Sequence, residues 1–341
     1  MSLARTLNRP SPNWLWTTSL VWLLAWRPSL QTTSIGTLLH SPVHTNFTKG
    51  QAKGSPLAQY AARHWVGHAQ VGHVASRIHG HGMISLFDLD KPCFAAWVKL
   101  HNVDSTCYHG CLKDKIQEGA ETLYYAALCG FLELVDHLVQ QHPQYTNAIG
   151  GGCGTAAHVA SLQGHVRVLQ LLLLCGMDVD VQGLHGQTPL HFASIGGHLD
   201  VVCYLLTHDA DPNSEANNNC EKTPLHHAAG SGNADIVQTL LKYNADSNSR
   251  GYLGWTPLHY AACSIHRPEG DYPQVMQLLL KHNADPNAWD KYQRTPFDLV
   301  PSSTQKLEVA RILLEHGAEG NVKDKWGRDP FAEGISDLER T

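Results

Sequence analysis

The chain has 341 residues, 43% of them apolar, and a formal net charge of −5 at neutral pH. The charge is unevenly placed: residues 1–87 hold seven Lys or Arg and no Asp or Glu, leaving 18 basic against 30 acidic side chains in the remainder. Affinity for nucleic acid rests on Lys and Arg displacing counterions from phosphate, so an acidic body argues against a broad nucleic-acid surface.

The most apolar window, "WLWTTSLVWLLAW" at residues 14–26, has 13 residues, short of the ~20 that cross a bilayer. Arg5 and Arg9 precede it, as in a signal peptide, but Arg27 and Pro28 follow at once and no small-x-small cleavage pattern is present. The acid-free composition also fits a mitochondrial presequence. Residues 1–54 are therefore read as a low-order or targeting-like extension. "NFT" at Asn46 matches a glycosylation sequon, which counts only in a secreted chain.

Residues 55–117 are expected to be helical. Leu57, Tyr60, Ala61, His64 and Trp65 form an apolar stripe at helical spacing, and Phe94, Ala95, Trp97, Val98 and Leu100 form a second, suited to capping an array. Nine cysteines are scattered along the chain without dense even spacing, which reads as buried small hydrophobes or free thiols in a reducing compartment. Cys107 and Cys111, with His109 between them and His101 upstream, are the one close pair. No second Cys or His pair follows at a finger-like distance, so a flexible loop is expected there and no metal is assigned.

From residue 118 the chain repeats itself. Copies open at Thr122, Thr155, Thr188, Thr223, Thr256 and Thr295, with a truncated one at Asp329; successive starts are 33, 33, 35, 33, 39 and 34 residues apart. A fixed period of this size signals a solenoid whose units bury their apolar faces only against neighbours. Thr before Pro marks a helix start, with the hydroxyl capping free amides and Pro in the first turn. Paired small residues (Ala228 and Ala229, Ala261 and Ala262) let that short helix lie close to the next unit. After the turn at Gly232, Ile236, Val237, Leu240 and Leu241 share one face of a second helix. Gly176, Gly317, Asn244 and Asn283 close second helices in the left-handed conformation, and "ADPN" or "ADSN" then supplies turn chemistry. The copy at Thr295, where Pro301 replaces a small residue, and the copy at Thr256, enlarged by residues 265–274, should be the least regular.

The phrase "TPLHxAA", the "LL" of the second helix, the "NAD" ending and the 33-residue period resemble the ankyrin repeat over about two-thirds of the chain. The resemblance implies an all-α solenoid of L-shaped helix pairs with β-turn fingers across residues 118–341. Upstream, "SPLAQYAARHWVGHAQ" and "MISLFDLDKPCFAAWVKLHNVD" resemble the segment that joins a NACHT module to ankyrin repeats in fungal receptor-like proteins. No Gly-Lys dipeptide occurs anywhere, so the phosphate-cradling loop of such a module is missing from this chain. The alternative to a free-standing array is thus the ligand-sensor portion of a NACHT-type signalling NTPase, or a membrane-anchored adaptor.

Chemistry is hard to find. Many of the 23 histidines fall at repeat positions: His158, His191, His226 and His259 in "TPLH", His165 and His198 in the "GH" turn, and His208, His282 and His316 where second helices end. The resemblance implies a structural role for the "TPLH" histidine. His64 and His68 lack the glutamate of a zinc-protease motif, and no GxSxG is present. No enzyme activity and no cofactor are expected.

What remains is surface. The resemblance places partners on a concave face made by finger tips and first helices, which here carry Leu184, His185, Lys222, Tyr252, Leu253, Trp255, Lys291, Tyr292, Arg294 and Trp326, with Ile195, Ser231 and Cys263 on the helices. Tyr, Trp and Arg are enriched among binding hot spots. Trp255 fits either contact or packing on the next finger, and Trp289 is expected to pack. The expectation is a monomeric cytoplasmic scaffold that binds a protein, with neither nucleic acid nor membrane as partner.

Overall fold

A computed structural model describes residue 117 and residues 119–216, 221–265, 270–300 and 306–319. The N-terminal extension, the cap at 55–116, the Cys107–Cys111 loop and the truncated copy at Asp329 lie outside them. All the described residues belong to one compact unit, Gly110–Thr341.

Among the described residues there are eleven α-helices and no strand. The first helices of the units are α1 (Ala120–Leu128), α3 (Ala156–Gln163), α5 (Pro189–Gly196), α7 (Pro224–Ser231) and α9 (Pro257–Ser264). The second helices are α2 (Leu132–Gln141), α4 (Val166–Leu174), α6 (Leu199–Thr207), α8 (Ala234–Lys242), α10 (Tyr272–Lys281) and α11 (Lys306–Glu315). First helices pack on first helices and second on second, giving two layers with the apolar core between them.

The core follows the repeat. Leu190, Leu225 and Leu258 are fully buried at one position of α5, α7 and α9, while Val201, Val202 and Leu205 of α6 match Ile236, Val237 and Leu240 of α8. The alanine pairs at 228–229 and 261–262 are completely enclosed, so the next unit does approach them closely. Side chains this small let neighbouring helix backbones come together, and any added methylene would force them apart.

Caps form where the Thr-Pro phrase predicts them. Thr155, Thr188, Thr223 and Thr256 each stand in extended backbone before a helix, the hydroxyl accepting from the third residue's backbone amide. The reciprocal partner is histidine, where a capping box more often uses Glu or Gln. Gly176 (φ 87°), Asn244 (φ 64°), Asn283 (φ 63°) and Gly317 (φ 86°) are left-handed as expected, and Asp209 (φ 65°) closes α6 in the same way. At Gly164 the constraint is double, since φ is 76° and an added Cβ would come within 2.5 Å of the His198 ring.

The two units expected to depart do so. In the Thr295 copy the first helix shrinks to a 3₁₀ turn, Pro296–Leu299, consistent with a proline ahead that cannot donate to a continuing helix. In the Thr256 copy, α9 lacks the left-handed glycine at its end, since Ile265 stays in the right-handed region. Where the enlarged connection enters α10 it bonds to the preceding unit: the Asp271 amide donates to the Gly232 carbonyl (3.0 Å) and the buried Tyr272 hydroxyl to the Gly230 carbonyl (3.4 Å).

Cysteine usage departs from expectation at one place. Cys153 is disulfide-bonded. Cys129 behaves as a buried hydrophobe, its thiol pushed up to about 12 by desolvation.

Candidate functional site

The finger row is built by the histidines. His158 Nδ1 accepts from the Thr155 amide (3.1 Å), and its Nε2 lies 2.9 Å from the Gln187 carbonyl, at the base of the next finger. His191 reaches the Lys222 carbonyl (2.9 Å), His226 that of Trp255 (3.1 Å) and His259 that of Arg294 (3.2 Å). A carbonyl only accepts, so Nε2 carries the proton and Nδ1 is the acceptor. All four rings must be neutral to do both jobs. Burial pushes each pKa down to about 4, against weaker opposing effects of the backbone hydrogen bonds.

The structural role implied for these histidines therefore has a definite geometry: each bolts the cap of one unit to the foot of the following finger. The "GH" histidines bind in the other direction, His165 to the Leu128 carbonyl (3.1 Å) and His198 to that of Leu162 (2.9 Å). In the Thr295 copy Asp298 replaces histidine, and its Oδ2 accepts from both the Thr295 amide and hydroxyl.

Fingers close on themselves. The Gly183 amide donates to Gln187 (2.8 Å), that of Gly251 to Trp255 (2.8 Å) and that of Asp290 to Arg294 (3.0 Å). Among the described residues one backbone-to-backbone bond joins two fingers directly, from the Lys291 amide to the Leu253 carbonyl (2.8 Å). At the opposite end of the turn, asparagines bridge units: Asn213 donates to the Asn244 carbonyl while accepting from the Asp246 amide, and Asn248 does the same with Asn283 and Asp285.

The tip side chains divide by burial. Tyr252 is 48% exposed, with Lys291 Nζ 5.5 Å from its ring centroid; His185 and Lys291 are exposed and Leu184 half-buried. Lys222 extends over Tyr260 of the next unit, 4.5 Å from the ring centroid. Leu253 holds a left-handed conformation (φ 64°) at the finger corner, where it is half-buried. Ile195 is exposed on α5, whereas Ser231 and Cys263 are half-buried. Trp326 lies outside the described residues.

Trp255 is engaged in packing. Its indole N–H donates to Asp290 (3.2 Å), and its ring stacks on His259 and meets Tyr260 edge-on. Asp290 organises the last described finger, accepting from the Tyr292 and Arg294 amides and pairing with the Arg294 guanidinium at 2.7 Å. These contacts outweigh its desolvation and hold its carboxyl below the usual range. Trp289 contradicts its expected packing role: it is 50% exposed, because Ala288 and Asp290 on either side point inward and alternation turns it out.

Among the described residues no group of three or more His, Cys, Asp or Glu could hold a metal ion, and no helix is long and apolar enough to cross a membrane.

Two helix layers, a bolted finger row and the histidine-capped unit define an ankyrin-repeat solenoid. The family model described as ankyrin repeats (3 copies) matches residues 123–216 and 214–288, and this part of the chain consists of ankyrin repeats. Over 97 residues the chain is 33% identical to the ankyrin repeat and SAM domain-containing protein 6 of Mus musculus, covering 28% of this chain and 11% of that protein. It is 31% identical over 140 residues to azaphilone pigments biosynthesis cluster protein L of Monascus ruber, covering 37% and 29%. It is 36% identical over 61 residues to the Notch-regulated ankyrin repeat-containing protein of Homo sapiens, covering 18% and 54%. The chain thus spans between about a tenth and about half the length of these relatives. Ankyrin repeats are generally protein–protein interaction modules without enzyme activity.

Proposed function

We propose that this array is a non-catalytic platform that captures one protein partner on the face formed by the finger tips and first helices. What supports the reading most is the histidine bolt, since each finger foot is fixed to the preceding unit before any partner arrives. Association then loses little conformational entropy in ordering the receptor. The proposed contact residues are Leu184, His185, Lys222, Tyr252, Leu253, Lys291, Tyr292 and Arg294, and, from the repeat alignment alone, Trp326. Trp255 supports the surface from beneath. Trp289, exposed beside the last described finger, joins the candidates.

The test is capture of partners from an extract of the native host by the immobilised full chain. Tyr252→Glu combined with Tyr292→Glu should abolish the specific partner while the circular dichroism spectrum is unchanged. Retained capture would remove the assigned face.

A further inference from the structure

Charges in the finger row run against the trend of the chain. Lys222, Arg250, Lys291 and Arg294 lie on the three successive fingers nearest the C-terminal end of the described array. Of the acidic residues close to them, Asp290 is buried and taken up by Arg294, leaving Glu215 and Glu221 at the edge of the first of these fingers. The carboxylates of the repeats collect elsewhere, at the turns after the second helices: Asp178, Asp180, Asp209, Asp211, Asp246 and Asp285.

The cations are also held in place. Lys222 Nζ lies over Tyr260, Lys291 Nζ over Tyr252, and the Arg294 guanidinium 5.1 Å from the Tyr292 ring centroid and 5.9 Å from that of Trp255. A ring face holds one side of a cation and leaves its other donors turned away from the ring. Lys222 and Lys291 make no ion pair among the described residues.

Resting on the platform reading above, we infer that the partner presents an extended acidic segment to these three fingers. Its carboxylates sit on Lys222 and Lys291, and its apolar side chains sit against the exposed ring of Tyr252. Packed helices stand about 8–10 Å apart, so successive fingers repeat at roughly that distance. An extended chain rises about 3.3 Å per residue, so carboxylates about six residues apart match the two-finger separation of Lys222 and Lys291. A nucleic acid also carries negative charge, but a long polyanion would have to run past the acidic remainder of the chain, whereas a short peptide stays on the fingers.

The test uses the full chain and a fluorescein-labelled twelve-residue peptide with glutamate at every third position between leucine and serine, read by fluorescence anisotropy. Three comparisons accompany it: the same peptide with lysine for glutamate, a twelve-nucleotide oligothymidine, and the Lys222→Glu, Lys291→Glu double variant. The glutamate peptide should bind at 50 mM salt, weaken several-fold at 200 mM, and lose at least tenfold in affinity to the double variant. Absent binding, equal binding of the lysine peptide, tighter binding of oligothymidine, or an unaffected double variant each overturns the inference. Loss of host-partner capture on Tyr252→Glu with Tyr292→Glu would in those cases still support the platform. Retained capture would remove the platform as well.

Discussion

His191 Nε2 donates to the Lys222 carbonyl at 2.9 Å, while the Lys222 side chain reaches forward to the Tyr260 ring of the following unit. One residue is thus held from behind by its backbone and presents its charge ahead. Removing the imidazole in His191→Ala leaves the buried Thr188 amide without its partner, while the Lys222 carbonyl keeps only the Ala216 amide (3.2 Å). An unsatisfied buried polar group costs about 1–3 kcal/mol, so urea melts should show a loss of that order. A midpoint unchanged from the parent protein would show that the bolt contributes nothing.

Acid should dismantle the array. His158, His191, His226 and His259 titrate near 4 when folded, below the ordinary value of 6.5. Between these values the unfolded chain binds more protons, so stability is complete above about pH 6.5 and falls as pH drops towards 4. Each ring contributes up to about 3 kcal/mol over that window. Four together rival the whole stability of a typical domain, roughly 5–15 kcal/mol, so unfolding should precede pH 4. Melts at pH 7.5, 6.5, 5.5 and 5.0 check this, and stability that stays level or rises on acidification would refute it.

His227 offers a gain. Its Nε2 is buried without a hydrogen-bond partner, and its pKa is driven well below 6.5 by desolvation and then by neighbouring His191, Lys222 and His226. The ring stands edge-on to His191, as Phe192 does to His158 and Tyr260 to His226. His227→Phe keeps the edge contact and discards the orphan nitrogen, so stability at pH 7 should rise by about 1 kcal/mol or more. A destabilised variant would mean that the nitrogen has a partner.

Asp180 offers another. Asn147, Asn213, Asn248 and Asn287 each donate from Nδ2 to a carbonyl at the end of the next second helix. At the same position Asp180 only accepts from the Asp211 amide, and burial raises its pKa, with Asp211 and Asp178 adding repulsion. Asp180→Asn supplies the missing donor for the Asp209 carbonyl and removes the charge. The gain should be about 1 kcal/mol, read as a rise of a few degrees in Tm. A lowered Tm would show that the carboxylate is needed there.

The period, the Thr-Pro caps and the left-handed closures at Asn244 and Gly317 were legible because each depends on a few adjacent residues. The apolar faces of α6 and α8 were legible for the same reason. What each "TPLH" histidine touches was not, since the partner carbonyl lies 29 to 35 residues away and is defined only once two units stack. The asparagine bridges were hidden likewise behind an ordinary turn signal. Trp289 was misread because a large aromatic suggests burial, whereas the alternation of Ala288, Trp289 and Asp290 decides its direction. Its flanking small residue and paired acid were the available clue.

Hydrogen–deuterium exchange of the full chain with and without its captured partner tests the central claim most directly. Binding should slow exchange at Gly183–Gln187, Gly251–Trp255 and Asp290–Arg294 and leave the outer faces of α4, α6, α8 and α10 unchanged. Protection confined to those outer helices, with the fingers exchanging as before, would contradict the account.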